Sequence, residues 1–352
     1  MSAAGMRAVQ EKIIVVEVNW LGDILFSTPA LRALRRDHPR AYIAVLVVPR
    51  GKQVLSGNPY IDELIIFDEE KRHRGWRGKW RLVRDLKIRR FTLAYILRPS
   101  VSRTLLLWLA GVKRRIGFDR KAPFLLTEAV APPQDARMHR GDVYYYLVER
   151  QKIPAGERFC DFYVAPADRV YIDDFLRLRG CGRGRSFAAL HVGGNWEPKR
   201  WPKDSFAELV RRLREEYDVQ AVISGSVLDD PLAREIADAL ATKPVIACGQ
   251  TTLRQLGALF ERAAVVVSAD SGPLHVAAAV KARVIGLFGP TDPVVTGPLG
   301  LGDLAILRPA EMSCAVPCYE RACPDNRCMK AITVDQVLEE AEKRQWIERL
   351  RA

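Results

Sequence analysis

Hydrophobic residues in the first half of the chain form short continuous runs, separated by stretches in which apolar positions recur every three or four residues. The continuous runs cover residues 13–18, 42–48, 63–67, 93–97 and 115–117. The periodic stretches cover residues 23–36, 51–56, 76–90, 104–110 and 142–151. Continuous Val/Ile runs are typical of strands buried on both faces of a parallel sheet, and the periodic stretches are typical of helices. The pattern therefore predicts a series of βαβ units.

The second half repeats this alternation. Its predicted strands cover residues 188–192, 221–224, 245–247, 265–268 and 284–288, and its clearest predicted helices cover residues 204–217 and 231–240. Near the end of the chain, Thr333-Val-Asp-Gln336 has the capping-box pattern and predicts a helix that runs towards Leu350. The chain is thus predicted to be α/β, with two doubly wound halves.

Chain length also favours two domains, because 352 residues exceed what one ordinary core holds. We expect a first domain over residues 1–165, a second over 183–330 and a C-terminal helix over 331–352. A polar connecting region follows residue 151. Within it, the glycine- and arginine-rich segment 179–186 predicts a hinge.

Composition indicates a soluble globular protein, with 48% hydrophobic and 28% charged residues. The longest apolar run, 105–112, is far shorter than the roughly 18 residues that a membrane span requires. The first eleven residues lack the apolar centre of a signal peptide. We therefore expect a cytoplasmic protein.

The net charge of +13 lies entirely in residues 1–170, whereas residues 171–352 sum to zero. Between Lys71 and Arg120, sixteen Lys and Arg residues accompany only Asp85 and Asp119. Such a basic half indicates a polyanionic partner, which could be nucleic acid, an anionic membrane surface or a phosphorylated glycolipid. The alternative is an arginine-rich surface that is simply solvated.

Four of the seven cysteines lie close together with the spacing C-x3-C-x4-C-x4-C. They are Cys314, Cys318, Cys323 and Cys328. Four close thiols in a cytosolic chain favour a structural metal site over disulfides, but the spacing differs from the common zinc patterns with paired C-x2-C. A metal site, reduced thiols and an adventitious disulfide all remain open. The other cysteines are isolated and are expected to be buried.

The segment 268–291 carries the clearest chemical signal. After an apolar run, Asp270, Ser271 and Gly272 form a polar turn, and Pro273 opens a helix that contains His275. The backbone N–H groups and the positive end of the helix dipole meet there, so the turn can hold a phosphate. The alternative is an ordinary strand-turn-helix with an Asp or Ser N-cap.

Two further strand ends carry charged residues. Asp23 follows the first strand and is either a helix N-cap or a carboxylate directed into a cleft; the pattern alone favours the cap. Lys199 follows a glycine turn after the strand 188–192 and is either a diphosphate ligand or a solvated lysine. Asp229 follows the strand 221–224, together with the turn 224–226. Ligands of open α/β sheets lie at such strand ends.

Several common motifs are absent from the sequence. Neither half contains G-x-G-x-x-G or G-x-x-x-x-G-K-[ST], which argues against a dehydrogenase or a P-loop kinase. No H-E-x-x-H or D-x-D pair marks a catalytic metal. A diphosphate leaving group would therefore depend on helix ends and on Lys or Arg side chains.

Several segments, in this order, resemble the ADP-heptose:lipopolysaccharide heptosyltransferases of glycosyltransferase family 9. These are Trp20-Leu-Gly-Asp23, residues 28–34, Lys199-Arg-Trp-Pro202, Gly225-Ser226 with Asp229, residues 270–275, residues 286–291 and the cysteine segment ending at Cys328-Met329. The first and last segments resemble most the branch that adds the second heptose, heptosyltransferase II. Leu274 and Glu17 depart from the family, whose members often have Met at the first position and a basic or small residue at the second.

The resemblance implies a GT-B fold, in which two Rossmann-like domains face each other across a cleft. It implies inverting, metal-independent heptose transfer from ADP-L-glycero-D-manno-heptose, with no required cofactor and with Asp23 as general base. Lys199 and the turn of Asp270, Ser271, Gly272 and His275 would hold the diphosphate. Asp270 itself would cap the helix or bind a sugar hydroxyl, and Asp229 would lie near the ribose or adenine.

The implied partners are the ADP-heptose donor, a Kdo-lipid A or heptosyl-Kdo-lipid A acceptor, and the cytoplasmic face of the inner membrane. The basic region 71–120, with Trp76, Trp80 and Trp108, suits an anionic membrane surface. One alternative is a related glycosyltransferase with another acceptor or nucleotide sugar. Another is a nucleic-acid-binding protein with a cysteine knuckle. The basic region lacks a known nucleic-acid-recognition module, which disfavours this alternative.

Overall fold

The structure is a computed structural model that describes residues 10–154, 156–181, 186–312 and 314–350. The chain divides into two compact units, with the division between Arg158 and Phe159. Of the predicted hinge 179–186, residues 182–185 lie outside the described residues.

The first unit alternates strands and helices, as the hydrophobic pattern predicts. Its elements are β1 (Lys12–Val16), α1 (Leu21–Asp37), β2 (Tyr42–Val47), α2 (Pro49–Leu55), β3 (Glu63–Ile66), α3 (Gly75–Arg89), β4 (Leu93–Ile96), α4 (Val101–Leu109), β5 (Arg114–Phe118), a 3-10 turn (Pro123–Leu125), β6 (Glu128–Val130) and α5 (Arg140–Glu149).

These strands form one parallel sheet with the order β3-β2-β1-β4-β5-β6. The central strand β1 pairs with β2 through Ile14 and Ala44 and with β4 through Ile14 and Ala94. All three side chains are fully buried, because helices cover both faces of the sheet. The strand order reverses between β1 and β4, so the ends of these two strands are where a doubly wound sheet binds its ligand.

Helix α1 is continuous although it contains Pro29. A proline in a helix interior removes the N–H group that would bond to the carbonyl four residues earlier, here that of Leu25. The hydroxyl of Thr28 donates to the Leu25 carbonyl at 2.7 Å and replaces the missing bond. The Thr28-Pro29 pair therefore fits the helix instead of ending it.

The second unit has the same alternation. Its elements are α6 (Pro166–Leu178), β7 (Phe187–His191), α7 (Lys203–Tyr217), β8 (Gln220–Ser224), α8 (Asp230–Asp238), β9 (Val245–Ile246), α9 (Leu253–Arg262), β10 (Val265–Ala269), α10 (Gly272–Ala279), β11 (Val284–Leu287), α11 (Pro293–Thr296), β12 (Leu304–Leu307), α12 (Arg327–Lys330) and α13 (Val334–Lys343). Two 3-10 turns lie at Glu197–Lys199 and Val227–Asp229.

Its sheet is also parallel, with the order β12-β11-β10-β7-β8-β9. The order reverses between β10 and β7, which places the ends of those two strands side by side. The core beside the sheet contains aromatic residues from distant parts of the chain, including Trp201, Phe206 and Trp346. The indole N–H of Trp201 donates to the carbonyl of Ile332 at 2.8 Å, which fixes the C-terminal segment against the sheet.

Three features differ from the sequence expectation. Helix α6 occupies part of the predicted polar connecting region, with Ile172 and Phe175 buried. The short strands β6 and β12 were not predicted. Helix α13 ends at Lys343 instead of continuing towards Leu350, because Gln345 adopts a left-handed backbone conformation with φ of 57°. Among the described residues, no helix is both long enough and apolar enough to cross a membrane.

Candidate active site

A salt bridge joins the ends of the two strands at which the second sheet reverses its order. Lys199, from the 3-10 turn after β7, places its Nζ 2.7 Å from Oδ2 of Asp270, directly after β10. Nε2 of His275 lies 3.6 Å from Oδ1 of the same carboxylate, and the hydroxyl of Thr296 lies 3.4 Å from Oδ2. Three groups from three segments thus converge on Asp270.

Asp270 is ionised despite its burial. Burial alone would raise the pKa of its carboxyl, but the hydrogen bond from His275 and the charge of Lys199 hold that pKa well below its usual range. The Asp270 side chain is 6% exposed, whereas that of Lys199 is 22% exposed. The ammonium group of Lys199 is therefore held by a buried carboxylate and remains accessible to a ligand.

Helix α10 begins next to this salt bridge. Its N-cap is Ser271, and Gly272 and Pro273 are its first two residues. The interpretation of Asp270 as the helix cap is therefore wrong, since Asp270 precedes the N-cap and binds Lys199. The Ser271 hydroxyl lies 3.2 Å from that of Ser268 and makes no cap bond to the helix backbone within the described residues. This leaves the positive end of α10 beside an ammonium group, a suitable setting for a phosphate.

The loop that carries Lys199 is held in place from the protein interior. Trp201, two residues later, is 2% exposed and packs edge-on against Phe206 with ring centroids 5.0 Å apart. The amide of Asn326 donates to the carbonyl of Arg200 at 3.1 Å. The Lys199 ammonium also lies 5.2 Å from the centre of the Trp196 ring. These contacts limit the positions that Lys199 can adopt.

A second polar cluster lies at the ends of β7 and β8. Oδ2 of Asp229 accepts hydrogen bonds from the backbone N–H and the hydroxyl of Ser226, at 2.8 and 2.7 Å. Oδ1 accepts one from Arg200 at 3.2 Å. Asp229 is 5% exposed. Its carboxylate thus organises the loop after β8, while its predicted contact with the ribose or adenine stays a prediction.

His191, the last residue of β7, is buried beside this cluster, with Nδ1 3.2 Å from the Ser224 hydroxyl. Burial lowers its pKa to about 4, so the ring is neutral at pH 7. Two residues after His191 lies Gly193, where a Cβ atom would be 2.7 Å from Oδ2 of Asp229. Glycine is thus required for the loop to approach the carboxylate. Sequence analysis named this glycine turn but did not identify His191 as part of the cluster.

In the first unit, Asp23 lies in the first turn of α1. The helix begins at Leu21 with Trp20 as its N-cap, so the interpretation of Asp23 as the cap is wrong. Asp23 is half-buried, and after burial its charge is the next cause that raises the pKa of the Tyr144 hydroxyl, from α5. It lies at the end of α1 where the helix dipole is positive, a position at which negatively charged side chains are favourable.

Glu17 is the residue near Asp23 that sequence analysis noted only as a departure from the family. It directly follows β1 and is 0% exposed. Its Oε1 lies 2.7 Å from the Ser27 hydroxyl, and its Oε2 accepts from the N–H of Val18 at 3.2 Å. Burial raises the pKa of Glu17 to about 7, and the charge of Asp23 also raises it. A glutamate inside the apolar run 13–18 was the available sequence signal.

The cysteine segment packs against the loops of the second-unit site. The N–H of Cys318 donates to the carbonyl of Pro290 at 2.7 Å, and a Cβ atom at Gly289 would lie 3.0 Å from Sγ of Cys328. The seven cysteines, all of which lie in the described part of the chain, form no disulfide bond. Among the described residues, no group of three or more His, Cys, Asp or Glu side chains is placed to hold a metal ion. The geometry indicates that the segment supports the loop after β11.

Comparisons with known proteins agree with this arrangement. The model of the family described as glycosyltransferase family 9 (heptosyltransferase) matches residues 79–327. Lipopolysaccharide heptosyltransferase 2 of Escherichia coli K12 is 28% identical over 82% of this chain and 85% of its own length. Lipopolysaccharide heptosyltransferase 3 of the same strain is 27% identical over 79% of this chain and 82% of its own.

The solved structure of the E. coli ADP-heptose lps heptosyltransferase II superimposes with a TM-score of 0.78. It is 26% identical in sequence, and the match covers 94% of this chain and 98% of that one. Two parallel six-stranded sheets with flanking helices, in two consecutive units, are the architecture of the GT-B fold. The fold class expected from the sequence is confirmed.

Proposed function

The chain belongs to glycosyltransferase family 9, and from that premise we propose that it transfers L-glycero-D-manno-heptose from ADP-heptose to the lipopolysaccharide inner core. Transfer proceeds with inversion and without a metal ion. The observation that carries the proposal is the site at the strand reversal of the second unit. There Lys199, held by Asp270, adjoins the positive end of α10. That combination suits a diphosphate whose negative charge grows during the reaction.

On the donor side, the bond between the anomeric carbon and the ADP oxygen breaks, and its electron pair remains on ADP. Lys199 and the first turn of α10, which includes Gly272, stabilise that charge without a metal. Asp270 does not contact the phosphates, because two anions would repel each other. Its role is to hold Lys199, while His275 of α10 lies against the other carboxylate oxygen.

The nucleoside lies towards the ends of β7 and β8. Asp229 is engaged with Ser226 and Arg200, so we assign it to shaping the pocket for the ribose or adenine. Neutral His191 and Gly193, which packs closely against Asp229, line the same region. Because this surface is neutral and tightly packed, it is more suitable for an adenine ring than for an anionic group.

On the acceptor side, Asp23 acts as general base. The acceptor hydroxyl attacks the anomeric carbon from the face opposite ADP, and its proton passes to the Asp23 carboxylate as the new glycosidic bond forms. Asp23 lies in the first turn of α1, where the positive end of the helix dipole stabilises a carboxylate.

The acceptor is heptosyl-Kdo-lipid A, as for a heptosyltransferase that adds the second heptose. The support is the order of the segments that resemble that branch, together with the similarity to the relative named heptosyltransferase 2. Similarity to the relative named heptosyltransferase 3 at 27% identity favours one alternative, in which the acceptor already carries two heptoses.

Such an acceptor lies in a membrane, and the first unit has a surface suited to an anionic bilayer. We define the basic face as nine exposed residues of α3 and α4, namely Trp76, Arg77, Trp80, Arg81, Arg84, Lys87, Ile88, Leu105 and Trp108. Cations and tryptophans on one surface are typical of proteins that bind the headgroup region. We therefore place the enzyme at the cytoplasmic face of the inner membrane.

The donor is tested in separate reactions, each with the purified enzyme, heptosyl-Kdo-lipid A and one of ADP-heptose, ADP-glucose or GDP-mannose. The measurement is the release of nucleoside diphosphate. The proposal predicts release from ADP-heptose alone, unchanged by a chelator. Preferential use of another nucleotide sugar would refute the donor assignment, and inhibition by the chelator would refute metal independence.

A further inference from the structure

Glu17 is a buried carboxyl group that the proposed reaction does not use. It directly follows β1, at the strand reversal of the first sheet, and its side chain is completely inaccessible to solvent. Burial of an ionised carboxylate is costly unless the charge is paired. The nearest guanidinium, that of Arg103, bonds instead to the Glu17 backbone carbonyl and to the Asn19 side chain, both at 2.7 Å.

The two short contacts of the Ser27 hydroxyl favour a protonated Glu17. The Ser27 hydroxyl oxygen lies 2.7 Å from Oε1 of Glu17 and 2.7 Å from the carbonyl oxygen of Ile24. One hydroxyl has one hydrogen, so it cannot make two short and nearly linear hydrogen bonds at once. If Glu17 is protonated, its own O–H donates to Ser27 while Ser27 donates to Ile24. Both short distances are then satisfied.

Asp23 and Ser27 are four residues apart in α1 and lie on the same face of that helix. The charge of Asp23 raises the pKa of Glu17, while burial is the larger cause and brings it to about 7. A hydrogen bond that Ser27 can donate to the ionised form lowers it, and so does the charge of Arg103, from α4. From α5, the hydroxyl of Tyr144 interacts with both carboxyl groups.

We propose that Glu17 is a positioning residue for Asp23, which acts through the Ser27 hydroxyl and through its own charge. Neutral Glu17 holds the first two turns of α1 against the end of β1. Ionised Glu17 places a negative charge near Asp23 and increases the proton affinity of that carboxylate. The coupling is reciprocal, because the same interaction raises the proton affinity of both groups.

The proposal rests on the proposed role of Asp23 as general base. It also predicts a property that needs no turnover, namely that the protonation midpoint of Glu17 depends on the charge of Asp23. This midpoint is measured from the infrared carboxyl band of the full chain, assigned by the difference between wild type and Glu17→Gln.

We expect a protonated Glu17 band at about pH 6 that converts to carboxylate near neutral pH, since the pKa is raised to about 7. In Asp23→Asn, the conversion should move to lower pH, because the neighbouring negative charge is gone. A Glu17 that is already ionised at about pH 5, or a midpoint that Asp23→Asn leaves unchanged, would overturn the proposal.

Catalysis gives the second measurement. The wild-type kcat should rise between about pH 6 and about pH 8, as Glu17 ionises and Asp23 becomes a stronger base. Glu17→Gln keeps a hydrogen-bond donor to the Ser27 hydroxyl but cannot ionise. We expect a flat profile in this range, a kcat about fivefold lower at the high-pH end, and an unchanged KM for ADP-heptose.

The two hypotheses fail in different ways. If Asp23→Asn retains near wild-type kcat, the base assignment is wrong, whatever the infrared result. If Asp23→Asn loses kcat but Glu17→Gln has the wild-type pH profile, the base assignment stands and the role of Glu17 is wrong. A loss of kcat in Glu17→Gln that is equal at all pH values would also overturn the proposal, because it indicates only a structural contribution.

Discussion

Nζ of Lys199 lies 2.7 Å from Oδ2 of Asp270, and this pair joins the ends of the two strands at which the second sheet reverses its order. The carboxylate is buried and the ammonium group is partly exposed, so the pair holds one cation at the start of α10. A phosphate placed there would meet a positive charge whose position is already fixed. This preorganisation is what a growing negative charge on a leaving group requires.

Lys199→Met should lower kcat/KM for ADP-heptose by on the order of 10², because the site loses its fixed cation next to the diphosphate. The measurement is steady-state kinetics together with calorimetric binding of ADP. Lys203→Met is the matched control, since Lys203 is exposed and pairs with Glu235 on the neighbouring helix. Equal kinetics for the two variants would contradict the assignment of Lys199.

A double variant should distinguish the contribution of Lys199 to stability from its contribution to donor binding. Lys199→Met leaves the Asp270 carboxylate buried beside His275 with one partner fewer, which should cost about 1–3 kcal/mol in the free energy of unfolding. Adding Asp270→Asn removes the unpaired charge and should restore most of that stability while ADP binding stays weak. Recovery of ADP binding in the double variant would show that Lys199 is structural.

The free energy of unfolding should depend on pH through Glu17. Its pKa is raised from 4.5 to about 7 in the folded state, so the folded protein binds more protons than the unfolded chain between those values. Stability from this group is full below the unfolded pKa and is lost as pH rises through the folded pKa, by about 3 kcal/mol in total. Glu17→Gln should therefore be more stable than wild type at about pH 8, as measured by urea unfolding.

That advantage should disappear at about pH 3.5, which is below the unfolded pKa, so that wild-type Glu17 is protonated in both states. Asp62→Asn serves as a control for the measurement, because Asp62 is partly exposed and pairs with Arg35 at the surface. A Glu17→Gln variant whose stability follows the wild type at every pH would show that Glu17 does not titrate in this range.

The strands were predictable because their signal is local. The apolar run 13–18 corresponds to β1, and the run 265–268 to β10, since a strand buried on both faces must be apolar at every position. β12 was not predicted although its four residues are all apolar; it is a short strand at the sheet edge, and only Ala305 is buried. Helix α6 was not predicted although Pro166 and Asp168 are helix-start residues and Ile172, Phe175 and Leu176 recur at helical spacing.

Site residues that lie within a single turn could be predicted from the sequence. Contacts between residues far apart in the sequence could not. Asp270 and Lys199 each stood out at a strand end, but their salt bridge spans 71 residues of sequence. Without it, Asp270 resembled a helix cap. Asp23 likewise resembled a cap, because no local pattern shows that α1 begins at Leu21. The buried state of Glu17 depends on both α1 and α4 and was visible only in the fold.

Membrane binding should depend on the basic face of the first unit. The double variant Arg81→Glu/Arg84→Glu reverses two exposed charges of α3 and should weaken binding to acidic liposomes in a salt-dependent manner, by about 1 kcal/mol for each Arg charge removed. Arg177→Glu/Arg234→Glu, on exposed helix surfaces of the second unit, is the matched control. Unchanged liposome sedimentation of the α3 variant at low salt would contradict the assignment of this face.

Asp23→Asn should reduce kcat by about 10² to 10⁴, because the amide cannot accept the proton of the attacking hydroxyl. ADP binding should stay at the wild-type level, since the proposed ADP site lies in the second unit. Asp37→Asn, at the other end of α1, is the control and should have wild-type kinetics. Near wild-type kcat in Asp23→Asn would refute the base assignment.

The central claim is heptosyl transfer from ADP-heptose, and it is tested most directly by mass spectrometry of lipid products. The enzyme is incubated with ADP-heptose and Kdo-lipid A acceptors that carry zero, one or two heptoses. The account predicts that the acceptor with one heptose gains a single further heptose. It would be contradicted if none of the three acceptors gained a heptose under conditions in which the protein is folded and binds ADP.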